Sequence, residues 1–393
     1  MDNKKSLKFD IWRWIFIVLL IVSMVTSGIL AWNQLWFPED FSSDLHIHVM
    51  WNLSEPKHPG LSYSLLSYMI EGLHSATGEN MYVTLSIWTV FLSLCNGASV
   101  LLMCYSYTKL YRIRPNKWVY FFSLASIYVT AFFSRYLRTS YANVWHNTTM
   151  TLLRPCSICV VLFTCLAFRN YSEGKKTGKY IVLNAIATFF AMWIKPTFLA
   201  VFLPAMCILF CIELIEKRGK NFGFLLKLGA SNLVIIPIFL FQYIQLYSKS
   251  GALDGETSNI YIKTTWSYEQ VVDVLGALCR SSVFVVIGMI LLLVYHKTNW
   301  KIQIVCWSSF AIANIYKIFF HESGLRKNDG NFYWSAVSML FFLTAIIVGE
   351  VFIKPSNKKM PVFWRIVLGG IYAGLLYSGL FYFWVLYNGG TYV

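Results

Sequence analysis

Charged residues are scarce in this chain. Of its 393 residues, 13% are Asp, Glu, Lys or Arg, which is about half the share found in ordinary soluble domains. So few charges cannot cover a surface that faces water, because 57% of the residues are hydrophobic. The composition therefore excludes a soluble globular enzyme, a disordered chain and a disulfide scaffold.

Acidic residues are scarcer still, with 18 Asp and Glu against 33 Lys and Arg, for a formal net charge of +15. In a soluble protein this surplus would indicate nucleic acid, but in a membrane protein the position of each charge matters more than the sum. The apolar runs are long and continuous, whereas a membrane β-barrel shows short alternating segments. We therefore predict an all-α polytopic integral membrane protein, with no nucleic-acid partner.

The nine cysteines show no ligand or disulfide pattern. Cys156 and Cys159 have the spacing of a redox or zinc motif, but no second pair completes a zinc site. They also lie inside an apolar segment of lipid length. We interpret the cysteines as packing residues.

A transmembrane helix needs about 20 predominantly apolar residues. The sequence contains about eleven such runs, near residues 13–32, 82–106, 118–134, 149–168, 180–195, 197–214, 224–246, 271–295, 301–319, 332–352 and 362–387. We interpret the first as a retained span, because no small-x-small cleavage site follows it. Residues 1–393 then form a single transmembrane domain.

The distribution of basic residues decides the topology. The fifth and sixth runs are separated only by Lys195-Pro196, so they could also form one kinked helix. With eleven spans and a cytoplasmic N-terminus, about two thirds of the basic residues lie inside and about two thirds of the acidic residues outside. Merging the two runs would move every later basic cluster outside. The sequence therefore predicts a hairpin at Lys195-Pro196 and an extracytoplasmic C-terminus.

The first extracytoplasmic loop, residues 33–81, contains two amphipathic stretches. Ser42, Ser43 and Asp44 can cap a helix, because their side chains accept the unpaired backbone N–H groups of its first turn. Apolar residues at helical spacing follow, which are Leu45, Val49 and Leu53. A second helix is predicted over residues 61–73, with Leu61, Leu65, Met69 and Leu73 on one face. We expect both helices to lie flat on the membrane surface.

Acidic and histidine side chains cluster early in this loop, at Glu39, Asp40, Asp44, His46 and His48. A helix would place Asp44 and His48 on one face, whereas an extended chain would place Asp44, His46 and His48 together. A carboxylate here could deprotonate an acceptor hydroxyl or hold a divalent cation, Mg²⁺ or Mn²⁺. The histidines could orient it, contact the substrate or join a metal site. A solvated N-capping loop accounts for the same residues, and the spacing alone leaves the metal open.

Cations lie at unusual depth near the outer ends of several spans, at Arg154, Lys195 and Lys317. A charge within a span is costly and usually faces a cavity or a partner. Cations near the plane of the lipid head groups suit a lipid-linked phosphate. The alternative is that the long side chains extend to the membrane interface. We predict an anion site that includes Arg154 and Lys195.

A second extracytoplasmic loop, residues 320–331, is rich in polar residues and glycine. Arg326 could bind phosphate, and Glu322 could hold Arg326 or a sugar hydroxyl. Trp334 could stack on a sugar ring. Further candidate contacts are His321 and Asn331. An ordinary loop above an interfacial aromatic belt accounts for the aromatic residues equally well.

This layout resembles the GT-C superfamily of membrane glycosyltransferases, in its bacterial envelope type. The shared features are the many spans, the long first outer loop with amphipathic helices, and basic residues at the outer interface. The acidic signature of that superfamily would match Glu39-Asp40 and Asp44. The turn Trp193-Ile194-Lys195-Pro196-Thr197 also looks like segments of such enzymes. The chain departs from oligosaccharyltransferases, because it shows neither a C-terminal soluble domain nor a Trp-Trp-Asp-type motif.

The resemblance implies an inverting transfer of a sugar from a polyprenyl-phosphate donor to an envelope glycan or lipid acceptor, outside the bacterial plasma membrane. Asp44 would be the base, with Asp40 and Glu39 as the other candidates. The donor phosphate would be bound by Arg154, Lys195, Arg326 and Lys317. No nucleotide-sugar site is expected. Two alternatives stay open: a polysaccharide polymerase or ligase acting on lipid-pyrophosphate glycans, and a transporter or flippase for a lipid-linked sugar.

Overall fold

The computed structural model describes residues 10–41, 43–53, 63–129, 145, 147–247, 260–265, 267–295, 300–323, 333–354 and 360–390. Its helices are α1 (Ile11–Trp36), α2 (Asp44–Leu53), α3 (Leu65–Ala76), α4 (Met81–Tyr111), α5 (Lys117–Ala125), α6 (Thr148–Ser172), α7 (Gly178–Ile194), α8 (Thr197–Glu216), α9 (Phe222–Ser231), α10 (Ile236–Tyr247), α11 (Tyr268–Tyr295), α12 (Trp300–Phe319), α13 (Tyr333–Val348) and α14 (Val362–Tyr387). A 3₁₀ turn, Asn232–Ile235, joins α9 to α10, and a π-helical turn, Gly349–Ile353, extends α13. Strands β1 (Ile260–Ile262) and β2 (Phe320–Glu322) pair antiparallel.

Nine helical stretches in the described part of the chain are long and apolar enough to cross a membrane. Each coincides with one of the predicted runs. The prediction of an all-α polytopic membrane protein is therefore confirmed at that level.

The third and fifth predicted spans differ from the rest. α7 has 17 residues and is about 25 Å long, which is short for a hydrocarbon core of about 30 Å. The third run, near 118–134, is helical as α5 over Lys117–Ala125, and the chain then turns through residues 126–128. Residues 130–144 lie outside the described residues, so the structure supports only the first part of that run.

Contacts between helix termini place successive ends alternately at two sides of the bundle. At one side, Arg112 after α4 pairs with Glu173 after α6, and Arg169 donates to the carbonyl of Lys109. The end of α8 and the start of α12 meet there through the ion pair Glu213–Lys301. We call this side the basic end; its cations include Lys109, Arg112, Arg169, Lys175, Lys176, Lys217, Lys220 and Lys301.

At the opposite side, which we call the loop end, α2, α3, the β1–β2 pair and the corner between α7 and α8 come together. Ser64 donates to the carbonyl of Ile194 over 2.8 Å, which ties the first loop to this corner. The segment after α14 also reaches this end. Gly389 has φ +81°, and a Cβ added there would lie 3.2 Å from the carbonyl oxygen of Asp40, so the close approach requires glycine.

The two amphipathic helices of the first loop are present, but the protein itself covers their apolar faces. In α2, Leu45 and Val49 are buried in the core, and the Ser43 hydroxyl accepts from the amide of Leu45 at 3.0 Å. The second helix starts at Leu65 rather than Leu61, and its buried face is set by Leu66 and Ile70. The predicted face is thus one residue out of register. Both helices pack on the bundle, and the expectation that they lie flat on the membrane surface stays a prediction.

Buried apolar side chains and polar contacts both hold the span formed by α9 and α10 to the bundle. Its buried side chains within helices α9 and α10 are Phe224, Leu225, Leu228 and Gln242. Asn232, at the 3₁₀ turn, accepts from Asn184 at 3.1 Å and from Thr188 at 3.2 Å, while Thr164 donates to Asn184 at 3.0 Å. We call these four residues the asparagine cluster; it fixes the middle of this span against α7 and α6.

Candidate functional site

The corner at Lys195-Pro196 is the centre of the candidate site. Pro196 cannot donate a backbone hydrogen bond, and the residue before a proline is pushed to an extended conformation. Lys195 accordingly has φ −160° and ψ 119°, which ends α7, and α8 starts directly after Pro196. The predicted hairpin is present. The Lys195 side chain turns inward and is only 6% exposed.

A chain of hydrogen bonds runs from Lys195 to Asp44. The ammonium of Lys195 donates to the hydroxyl of Thr149 over 3.1 Å, and that hydroxyl donates to the side-chain oxygen of Asn147 over 2.6 Å. The amide of Asn147 donates to the carboxylate of Asp44 over 3.4 Å. We call these four residues the relay. Asn147 and Thr149 are both buried.

The direction of each hydrogen bond in the relay follows from the capping of α6. Asn147 is the N-cap of that helix, and its side-chain oxygen accepts from the backbone N–H of Met150 over 3.2 Å. This bond identifies which side-chain atom of Asn147 is the oxygen, so the other atom, the amide nitrogen, must face Asp44. Every donor then points from the cation toward the anion, and aligned hydrogen bonds of this kind polarise one another.

Three further side chains hold the corner in place. Gln242 of α10 donates to the carbonyls of Met192 and Trp193, over 2.9 and 3.2 Å. Ser335 of α13 donates to the carbonyl of Thr197 over 2.8 Å. The bonds from Gln242 and Ser64 satisfy carbonyls in the last turn of α7, which have no partner within the helix. The position of Lys195 is therefore set by several elements rather than by α7 alone.

Aromatic rings of α13 lie against the buried Lys195 and the half-buried Arg154. The Lys195 ammonium is 5.3 Å from the centre of the Trp334 ring, and the Arg154 guanidinium is 5.5 Å from that of Phe341. Arg154 lies five residues after Thr149 on α6, about 7.5 Å deeper along the helix. Its Nη1 atom is buried and has no hydrogen-bond partner among the described residues. Arg154 and Lys195 thus place positive charge at two different depths between α6 and α13.

The first-loop acids separate in space. Asp44 is half-buried at the start of α2 and joins the relay. Glu39 and Asp40 are exposed in the turn that follows α1. Among the three candidate bases, the structure therefore brings only Asp44 to the buried cation Lys195.

The first-loop histidines do not converge with Asp44 as a ligand triplet. Because the segment is helical, His48 shares a face with Asp44 and His46 does not. Nδ1 of His46 is instead 2.7 Å from the carbonyl oxygen of Leu35. In the described part of the chain, no group of three or more His, Cys, Asp or Glu side chains could hold a metal ion. The described residues thus provide no such ligand cluster for Mg²⁺ or Mn²⁺.

The loop predicted over residues 320–331 is only partly described. Glu322 is buried on β2, and Nε2 of His321 is 3.2 Å from the carbonyl oxygen of Ile318. The Lys317 ammonium lies 5.3 Å from the Tyr333 ring centre, beside Trp334. Arg326 and Asn331 lie outside the described residues, so their roles remain predictions.

Sequence reasoning missed the residues that connect the site. Asn147 and Thr149 form the middle of the relay, and Gln242 and Ser64 position the corner. One signal was available for Gln242, since an isolated amide in an apolar run usually faces a partner. Neither a protein-family model nor a curated protein sequence matches the chain, so the functional assignment is drawn from the geometry of Asp44, Lys195 and Trp334.

Proposed function

We propose that this chain is a GT-C-type glycosyltransferase that moves a sugar from a polyprenyl-phosphate donor to an envelope glycan or lipid acceptor. The observation that carries the proposal is the relay between Asp44 and Lys195. It joins a half-buried carboxylate and a buried cation, the two charges that such a transfer needs. The loop end would face the outside of a bacterial plasma membrane, and the basic end the cytoplasm.

In the proposed reaction, Asp44 accepts the proton of the acceptor hydroxyl, whose oxygen attacks the anomeric carbon of the donor sugar. The bond between that carbon and the phosphate oxygen breaks, and its electron pair leaves with the polyprenyl phosphate. Attack from the face opposite the phosphate inverts the configuration. Lys195 and Arg154 supply positive charge where the leaving phosphate becomes more negative, and such preorganised charge lowers the barrier.

The surroundings of Lys195 support a role beyond packing. A buried ammonium is costly unless it is paired or serves an anion. The bonds from Gln242, Ser64 and Ser335 to the neighbouring backbone keep its position fixed. Trp334, whose ring centre lies 5.3 Å from the ammonium, is itself 6% exposed and helps to hold the cation in place. A fixed and desolvated cation suits the phosphate of a sugar donor.

The proposal is tested by replacing Asp44 with Asn, which keeps the size of the side chain and removes the base. We expect transfer from a polyprenyl-phosphate sugar to fall by roughly 10²–10⁴-fold, with expression and lipid binding near the parent level. The measurement is incorporation of labelled sugar in membranes that contain the chain.

Asp40→Asn is the matched control, because Asp40 is an exposed acid four residues away. Inactivity of Asp40→Asn alone would move the base to the turn after α1 and make Asp44 a helix cap. Normal turnover in both variants would remove the first-loop acids from catalysis.

A flippase for a lipid-linked sugar is the second candidate, and one observation favours it. The α9–α10 span is interrupted by the 3₁₀ turn Asn232–Ile235, and the buried amide of Asn184 lies beside the break. Interrupted helices with polar groups within the bilayer are typical of transporters. Translocation of a fluorescent polyprenyl-phosphate sugar in liposomes, unaffected by Asp44→Asn and without any transfer, would select this candidate.

A further inference from the structure

A cavity of about 160 Å³ opens at the basic end between α6, α8 and α12, far from the relay. Its mouth is formed by Arg169 and Ser172 in the last turn of α6 and by Lys301 at the start of α12. Its lining is mainly apolar and includes Phe202 of α8 and Val305 of α12. Arg169 lies 20 residues after Thr149 on the same helix, which corresponds to about 30 Å.

The positive charge at the mouth is only partly compensated. Lys301 pairs with the buried carboxylate of Glu213. Glu173, the acid nearest to Arg169 in sequence, pairs instead with Arg112 and Lys175. In the described part of the chain, no carboxylate pairs with Arg169. Within the described ranges, Arg169 thus remains at the cavity as a cation without a paired carboxylate.

Arg169 also has hydrogen-bonding capacity left over. Its Nη1 donates to the carbonyl of Lys109 over 2.5 Å, but its Nε is buried and has no hydrogen-bond partner among the described residues. Buried N–H groups are nearly always paired, so such a group calls for a partner. A guanidinium presents its donors in a fork that matches phosphate oxygens.

We propose that this cavity binds an anionic phospholipid, with the head-group phosphate on Arg169 and part of an acyl chain in the interior. Basic pockets between helices at the cytoplasmic membrane face suit such head groups. The apolar interior adjoining the cation favours a lipid over free phosphate. A cavity of about 150 Å³ accommodates a benzene-sized molecule, so this one takes about six carbons of the chain. The rest of the lipid lies along the outer surface of α8, where Ile208 and Ile215 are exposed.

The proposed lipid site is independent of the proposed transfer reaction. Lipid binding there should have a measurable effect on stability. A ligand that binds only the folded protein raises its unfolding temperature. By filling the space between three helices, the lipid adds contacts that the empty cavity lacks.

The experiment uses the full chain, purified in detergent and stripped of lipid. Dioleoyl phosphatidylglycerol, dioleoyl phosphatidylcholine and inorganic phosphate are added separately, and binding is followed by native mass spectrometry and the unfolding midpoint. We expect one tightly held phosphatidylglycerol and a raised midpoint. Arg169→Gln should weaken its binding about tenfold or more, as for one lost charge-assisted hydrogen bond.

Lys176→Gln is the matched control, because it removes an exposed cation from the same end and should leave binding unchanged. Should Arg169→Gln fail to fold, Ser172→Trp tests the same site from an exposed position by covering the mouth. Parent-like binding in the folded variant, or equal retention of phosphatidylcholine, would overturn the proposal. Displacement of phosphatidylglycerol by millimolar inorganic phosphate would overturn it as well, because the site would then be one for free anions.

Discussion

Replacing Lys195 by Met separates a phosphate-binding role of this cation from a structural one. Met has a similar length and is apolar, so it can occupy the buried space without a charge. The side chain is 6% exposed, donates to Thr149 and lies 5.3 Å from the Trp334 ring centre. The two roles predict opposite outcomes for stability and for binding.

The expected change in stability is small, because two contributions oppose each other. The variant loses a charge-assisted hydrogen bond of about 1.5–3 kcal/mol and a buried cation–π contact of about 2 kcal/mol. It also removes the desolvation penalty of a buried ammonium, which is several kcal/mol. We expect the free energy of unfolding to change by no more than about 2 kcal/mol.

The expected change in binding is larger. A phosphate that loses its bond to Lys195 loses about 1.5–3 kcal/mol, which corresponds to roughly 10–150-fold in Kd. Binding of a polyprenyl-phosphate analogue to protein in nanodiscs would be measured beside the thermal unfolding midpoint. Lys227→Met is the matched control. Lys227 is exposed on α9 among apolar neighbours, so the same substitution there removes a charge outside the candidate site.

Two results would refute the reasoning. Unchanged affinity in a folded Lys195→Met variant would show that the buried cation does not contact phosphate. A large loss of stability with unchanged affinity per folded molecule would assign Lys195 to the structure of the α7–α8 corner.

Two further predictions concern topology and the basic end. A cysteine introduced as Ala76→Cys, at the exposed end of α3, should react with an impermeant maleimide added outside cells, whereas Lys176→Cys should not. Labelling of Lys176→Cys alone would mean that the chain has the opposite orientation in the membrane. Glu213→Gln should lower the free energy of unfolding by up to about 3 kcal/mol, because Lys301 then lacks its buried counter-charge. Replacing both residues at once, Glu213→Leu with Lys301→Met, should restore most of that loss in a denaturation assay; no restoration would mean that the pair is not the source of the effect.

Most of the membrane fold could be predicted from the sequence, because a span is specified locally by a run of apolar residues. The corner at Lys195-Pro196 followed from charge distribution and from the effect of proline on the preceding residue. The register of the second first-loop helix could not be predicted, since Leu65, Leu66, Met69 and Ile70 allow two adjacent apolar faces. Packing against the bundle selects between them.

The candidate site was predictable in its charged members and not in its connections. Asp44 and Lys195 stand out in sequence as an acid in an outer loop and a cation at membrane depth. Asn147 and Thr149 link them through contacts between residues 103 and 46 positions apart. No local pattern marks such contacts, because a capping asparagine and a threonine occur at the start of many helices.

The asparagine cluster has a consequence for how the chain assembles in the bilayer. The exposed faces of the α9–α10 span are apolar, so lipid solvates them well, and its buried apolar residues Phe224, Leu225 and Leu228 lie in α9. The rest of the span is positioned by bonds from Asn184 and Thr188 to Asn232, and from Gln242 to the carbonyls of Met192 and Trp193. All of these partners lie on α7. The polar groups of α7 therefore determine the depth at which the α9–α10 span docks in the membrane.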